Sequence, residues 1–158
     1  MRTRGPERRE RILAAIEIPA LGIWLGALLG FAFVFAPLAF RIVAPGDLGR
    51  FATLIAGSIA TLTLWGYVLV GIAIVVAVLR AAGAADRTWD AVRLVLMLGA
   101  LALITWERQG VVPAMETSRD VTSPAYRALH ARSTEIYGGA ALLALVALIL
   151  AASRAPEP

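Results

Sequence analysis

The sequence predicts an all-α fold, an integral membrane four-helix antiparallel bundle. Three observations carry that prediction. The 158-residue chain is 59% hydrophobic and 16% charged, with a mean hydropathy of +0.78, whereas soluble domains are about 45–50% apolar and about 25% charged. A soluble chain of this length has no interior large enough to hide so much apolar surface, so lipid is the solvent that fits it. The apolar residues gather into four segments, each near the ~20 residues that span ~30 Å of hydrocarbon. The connections between them are short, which sets successive helices antiparallel within one domain over residues 1–158.

The first helix is expected over about residues 12–42. Its core, residues 18–40, is uncharged between Glu17 and Arg41, and this run exceeds the ~7–15 apolar residues of a cleaved signal, so it should remain as a helix. The second is expected over 48–81, uncharged between Arg50 and Arg80. Pro45-Gly46-Asp47 reads as a turn in which Asp47 caps it, and Gly83 fits its end. The third, about 87–113, has Asp86 as its expected cap and Pro113 as the residue that bends or ends it. The fourth, about 124–153, opens on Ser123-Pro124, a cap followed by the first helical position.

All fifteen cationic residues are arginine, and the formal charge is +4. They flank the apolar segments, so the basic balance reads as membrane-flanking charge and not as a nucleic-acid surface. Orientation follows from their distribution. Five lie before the first helix and two in the first connection. With both termini cytoplasmic the split is nine inside to six outside, although the third connection holds four and weighs the other way. The location read from this is the plasma (inner) membrane of a bacterium. The absence of cysteine excludes disulfides, thiolate metal sites and cysteine nucleophiles.

Packing in lipid relies on small residues that let backbones approach. Gly22, Gly26 and Gly30 repeat every four residues on the first helix. They predict a packing face, either against Ala52, Ala56 and Ala60 of the second helix or between copies of the chain as a homo-oligomer. On the second helix Ser58, Thr61 and Thr63 can return their hydroxyls to their own helix. With Trp65 and Tyr67 they could instead line a polar cavity.

The candidate site is a polar cluster in the outer third of the bundle. Glu107 and Arg108 fall about 9 Å below the outer boundary if the third helix enters lipid near Arg93. Adjacent helical residues point ~100° apart, so the pair needs partners from elsewhere. Arg41 ends the first helix at the same level. Tyr126, His130, Ser133 and Tyr137 share one face of the fourth, with Glu135 nearby. The expected cluster is therefore Glu107, Arg108, His130, Ser133, Glu135 and Arg41, because charges in lipid face the bundle interior. The alternative is a pair that snorkels to the headgroups.

Residues 23–40, "IWLGALLGFAFVFAPLAF", residues 111–115, "VVPAM", and residues 125–145, "AYRALHARSTEIYGGAALLAL", resemble the transmembrane protein 205-like family, a domain of unknown function. More distantly they resemble the four-helix units of copper-resistance D-type membrane proteins. The resemblance covers about residues 20–150 and implies a membrane bundle. It directs attention to Pro37, Pro113, His130 and Ser133 and implies no activity.

The function expected from the residues is a small polytopic, non-enzymatic integral membrane protein, a ligand-binding bundle or membrane scaffold whose partner is the lipid bilayer. No cofactor is expected. One alternative is haem or copper held by His130, since imidazole suits both. His130 is the only histidine, however, so a bis-histidine haem within one chain is excluded. A second alternative is a small-solute transporter formed as an oligomer. A membrane enzyme using Glu107, His130 and Glu135 as acid and base is a third, and no nucleophile motif or phosphate loop supports it.

Overall fold

The computed structural model describes residues 5–43, 46–83, 88–117 and 123–153. These residues form four long helices, with no strand among them. Helix α1 runs Gly5–Gly30, continues through a π-helical turn, Phe31–Phe35, and ends with Ala36–Ile42. Helix α2 is Leu48–Ala81. Helix α3 runs Thr88–Trp106, passes through a second π-helical turn, Glu107–Val111, and ends with Val112–Thr117. Helix α4 is Pro124–Ala152. The chain is thus an all-α four-helix bundle, and each helix is long and apolar enough to cross a membrane.

Local sequence explains the ends. The Asp47 carboxylate accepts the backbone N–H of Arg50 at 2.9 Å, satisfying one of the free donors at the start of α2. The Ser123 hydroxyl accepts the N–H of Tyr126 at 3.1 Å, with Pro124 opening α4. Gly83 follows α2 in a turn whose N–H reaches the Arg80 carbonyl at 2.9 Å. Asp86 and Pro45, expected as cap and turn residues, lie outside the described residues.

Pro113 neither ends nor breaks α3, which continues to Thr117. The reason lies one turn earlier. Proline lacks an N–H, and its ring crowds the carbonyl four residues before it. The π turn widens the helix there, and the Val112 N–H bonds the Glu107 carbonyl five residues back. The same device recurs before Pro37, where the Ala36 N–H bonds the Phe31 carbonyl.

The bundle closes on one repeating seam. Its buried positions are Ala14, Glu17, Leu21, Trp24 and Leu28 on α1, and Thr63, Gly66, Val70, Ala73, Ala77 and Arg80 on α2. On α3 they are Asp90, Arg93, Met97, Ala100, Ile104, Glu107 and Val111. On α4 they are Ser133, Ile136, Ala140, Ala144, Ala147 and Ala151. Steps of three and four residues average near 3.5, the period of shallow coiled-coil-like crossings. Small side chains set the spacing: the alanine row of α4 lies wholly inside, beside Trp24, Leu21 and Met97.

The glycines that matter for this packing are not the three expected ones. A Cβ on Gly22, Gly26 or Gly30 would meet nothing within 4 Å, so that face makes no close approach within the chain, and Ala56 is exposed. The close approach falls at Gly66, where a Cβ would lie 2.8 Å from Trp24 Nε1 and 3.2 Å from Ile104 Cδ1. The Trp24 indole is fully buried and occupies the space that the missing side chain leaves.

Candidate functional site: two buried polar layers

The buried polar residues among those described are Glu17, Thr63, Arg80, Asp90, Arg93, Glu107 and Ser133. All seven lie on the seam, and they fall at its two ends. Seventeen residues on α2, Thr63 to Arg80, and fourteen on α3, Arg93 to Glu107, separate the layers. At the helical rise of 1.5 Å per residue this is about 21–25 Å. Leu21, Trp24, Val70, Met97, Ala100 and Ala144 fill the interval.

The proximal layer, at the end where α1 begins, is ionic. Glu17 has no exposed surface, and its two carboxylate oxygens take guanidinium groups from two other helices. Arg80 Nη1 of α2 donates to Oε2 at 2.8 Å. Arg93 Nη2 of α3 donates to Oε1. Arg93 Nη1 also donates to Asp90 Oδ1 at 2.8 Å, one turn away on its own helix. Arg80 Nε lies 3.1 Å from the half-exposed Glu10 carboxylate, and Arg80 Nη2 donates to the Glu10 carbonyl at 3.4 Å. One carboxylate thus ties α1 to α2 and α3. These pairings run from early in α1 to late in α2 and early in α3, as antiparallel neighbours require.

The distal layer is mostly neutral and built on hydroxyls. The Ser133 hydroxyl of α4 donates to Glu107 Oε1 at 2.6 Å. One turn along α4, the Tyr137 hydroxyl pairs with Thr63 Oγ1 of α2 at 3.0 Å. Thr63 also returns its hydroxyl to the Ile59 carbonyl at 2.8 Å, as Ser58 and Thr61 do to Leu54 and Gly57. Glu107 is wholly buried, and its second oxygen, Oε2, has no hydrogen-bond partner among the described residues. Trp24 Nε1 and the Nε atoms of Arg80 and Arg93 are also buried without one, Arg80 Nε facing the Glu10 carboxylate as an ion pair.

No protein-family model, curated protein or solved structure matches the chain.

Of the expected cluster, the structure joins Glu107 to Ser133 and leaves Arg108, His130, Glu135 and Arg41 exposed. The reason is angular. Glu107 continues the seam from Ile104, and Arg108, one residue on, is turned ~100° away from it. Glu135 is displaced from Ile136 in the same way. His130 has the right spacing but sits one turn before Ser133, at the exposed end of α4, where its ring stacks on Tyr126 with centroids 6.4 Å apart. Arg41 lies in the last turn of α1. Nearby, the Arg132 guanidinium lies 5.0 Å from the Trp106 ring centre.

The expected polar cavity on α2 does not form around Trp65, which is exposed. Thr53, Ser58 and Thr61 line an outward-facing groove with Phe31 and Phe35 of α1. Another groove on α3 is lined by Leu98, Thr105, Trp106 and Gln109. Neither includes a residue of the two buried layers.

Sequence reasoning overlooked the ionic layer. Glu17, Arg80 and Arg93 mark the edges of apolar runs and so read as boundary charges. Their shared signal was the seam: each lies a whole number of three- and four-residue steps from the buried alanines, glycine and Met97. Among the described residues no group of three or more histidines, cysteines and acids is arranged to hold a metal ion.

Proposed function

We propose that the chain is a small, non-enzymatic, polytopic integral membrane protein, a rigid four-helix scaffold with a small-ligand site in its distal layer. The observation that carries this is an inversion. The most deeply buried side chains include Glu17, Arg93 and Glu107, while Phe33 is 76% exposed, Val95 68% and Leu64 63%. In water such a surface would be an aggregation liability. In lipid it is the expected arrangement, with ionisable groups turned inward and apolar side chains turned outward.

The separation of the polar layers supports the same reading. An interval of about 21–25 Å places both of them a few ångströms inside the edges of a ~30 Å hydrocarbon slab. The arginine distribution favours both termini on the cytoplasmic side of a bacterial inner membrane. The likeness of residues 23–40, 111–115 and 125–145 to the transmembrane protein 205-like family points the same way. A scaffold fits the chemistry better than an enzyme does: the buried charges at the proximal end are engaged with one another, and the hydroxyls of α2 return to their own backbone.

The test is alkaline carbonate extraction of membranes from cells expressing the chain. It should stay wholly in the pellet. Release into the supernatant would contradict the proposal.

A further inference from the structure

Glu107 stands apart from the other buried carboxylates among the described residues, Glu17 and Asp90, which are both paired with arginine. Glu17 has an arginine on each oxygen. Glu107 has one serine hydroxyl on Oε1 and, among the described residues, no hydrogen-bond partner on Oε2, with no exposed surface. Leaving a buried ionised carboxylate uncompensated is strongly unfavourable. A buried acceptor without a partner marks a place where something else completes the site. Glu107 also opens the π-helical turn of α3, a local widening found often at functional sites.

From this geometry we propose that Glu107 Oε2 is a binding point for one small monovalent cation, a proton or a sodium ion. The proposal rests on the membrane reading above and gives its ligand site a chemistry. One carboxylate, with no second one buried in this layer among the described residues, matches a single positive charge, and a divalent ion would require further carboxylates. The layer offers oxygen atoms and no soft ligand, which suits a proton or a hard ion. Ser133 and Tyr137, one turn apart on α4, together with Thr63 on α2, supply a row of hydroxyls beside it. The other titratable groups around this end include Arg108 on α3, Arg41 on α1, Tyr67 on α2, and Tyr126, His130, Arg132, Glu135 and Tyr137 on α4. Arg108, Arg41, His130, Arg132 and Glu135 are exposed, and the three tyrosines are partly buried.

The experiment treats the full chain, in detergent or liposomes, with the apolar reagent dicyclohexylcarbodiimide. A protonated carboxyl adds across one C=N bond of the reagent: its oxygen bonds the central carbon, its proton moves to nitrogen, and no group leaves. Peptide mapping should find the adduct on Glu107 and none on Glu17, and Glu107→Gln should abolish it. If the ion is a proton, labelling falls as pH rises and ignores sodium. If it is sodium, added sodium slows labelling at fixed pH.

Unfolding temperature gives a second readout that does not depend on reagent access. Its response to pH or sodium should differ between wild type and Glu107→Gln, and Thr134→Ala, which removes an exposed hydroxyl of the same helix as Ser133 that bonds only the His130 carbonyl, should retain the wild-type response. An adduct on Glu107, or a differing response, supports the site. No adduct at any pH, together with identical responses in the two proteins, overturns it. The carbonate pellet is a separate result, so failure here would leave the membrane reading standing.

Discussion

Glu17→Leu should destabilise the bundle by about 3–5 kcal/mol, the range for removing one partner from a buried ion pair. The substitution leaves the guanidinium groups of Arg80 and Arg93 inside the bundle, each with side-chain exposure of 3% or less, and removes the carboxylate that both address. Asp90 would still hold one face of Arg93, and the half-exposed Glu10 would still lie beside Arg80. Neither acid takes arginines from two other helices as Glu17 does. The loss should therefore be one of tertiary structure, read as a lower unfolding temperature in detergent with helix content retained.

The informative companion is the triple variant Glu17→Leu, Arg80→Met, Arg93→Met. Replacing a whole buried ionic group with apolar side chains is often neutral or stabilising. The triple variant should therefore recover most of what the single one loses. A triple variant less stable than Glu17→Leu would show that the ions hold the fold in a way that packing cannot replace.

Gly66→Ala should destabilise by about 1–3 kcal/mol, the range for over-packing a filled interior. The added Cβ would sit 2.8 Å from Trp24 Nε1 and 3.2 Å from Ile104 Cδ1. The isoleucine methyl can yield by a rotamer change, but the indole is a rigid ring buried on all sides. Helix α1 must then shift away from α2. Gly26→Ala is the control, because its Cβ meets nothing within 4 Å and alanine is the better helix former by roughly 1 kcal/mol. It should leave the monomer as stable or slightly more so. Combining Gly66→Ala with Trp24→Leu should restore part of the loss, and the double-mutant cycle isolates the contact. Equal effects at Gly66 and Gly26 would contradict the assigned packing.

The fold was legible because its strongest signals are local. Long uncharged runs, Asp47 before α2 and Ser123-Pro124 before α4 each state their role within a few residues. The site was legible only in part. Glu107 and Ser133 were expected to meet, because depth in the membrane can be counted along a helix. His130 was placed by the face it shares with Ser133, but Arg108, Glu135 and Arg41 were chosen by depth alone, and depth does not distinguish Glu107 from Arg108. The angle does, and the angle becomes visible only when the three-and-four spacing is followed through the alanines of α4 and the small residues of α2. The ionic layer was hidden for a related reason. A charge at the end of an apolar run reads as a headgroup anchor, and only its place on the seam shows that it turns inward. Gly66 was overlooked because a lone glycine in a helix looks like composition until the large side chain opposite it is known.

Crossing number and sidedness test the central claim most directly. The chain has no cysteine, so single replacements can be labelled in sealed membranes without background. Arg8→Cys, Gly46→Cys, Gly83→Cys, Thr117→Cys and Ser153→Cys each place a thiol at an exposed position near a helix end. A membrane-impermeant maleimide should reach positions 8, 83 and 153 from one side and positions 46 and 117 from the other. Two successive positions labelled from the same side would contradict a bundle of four crossings.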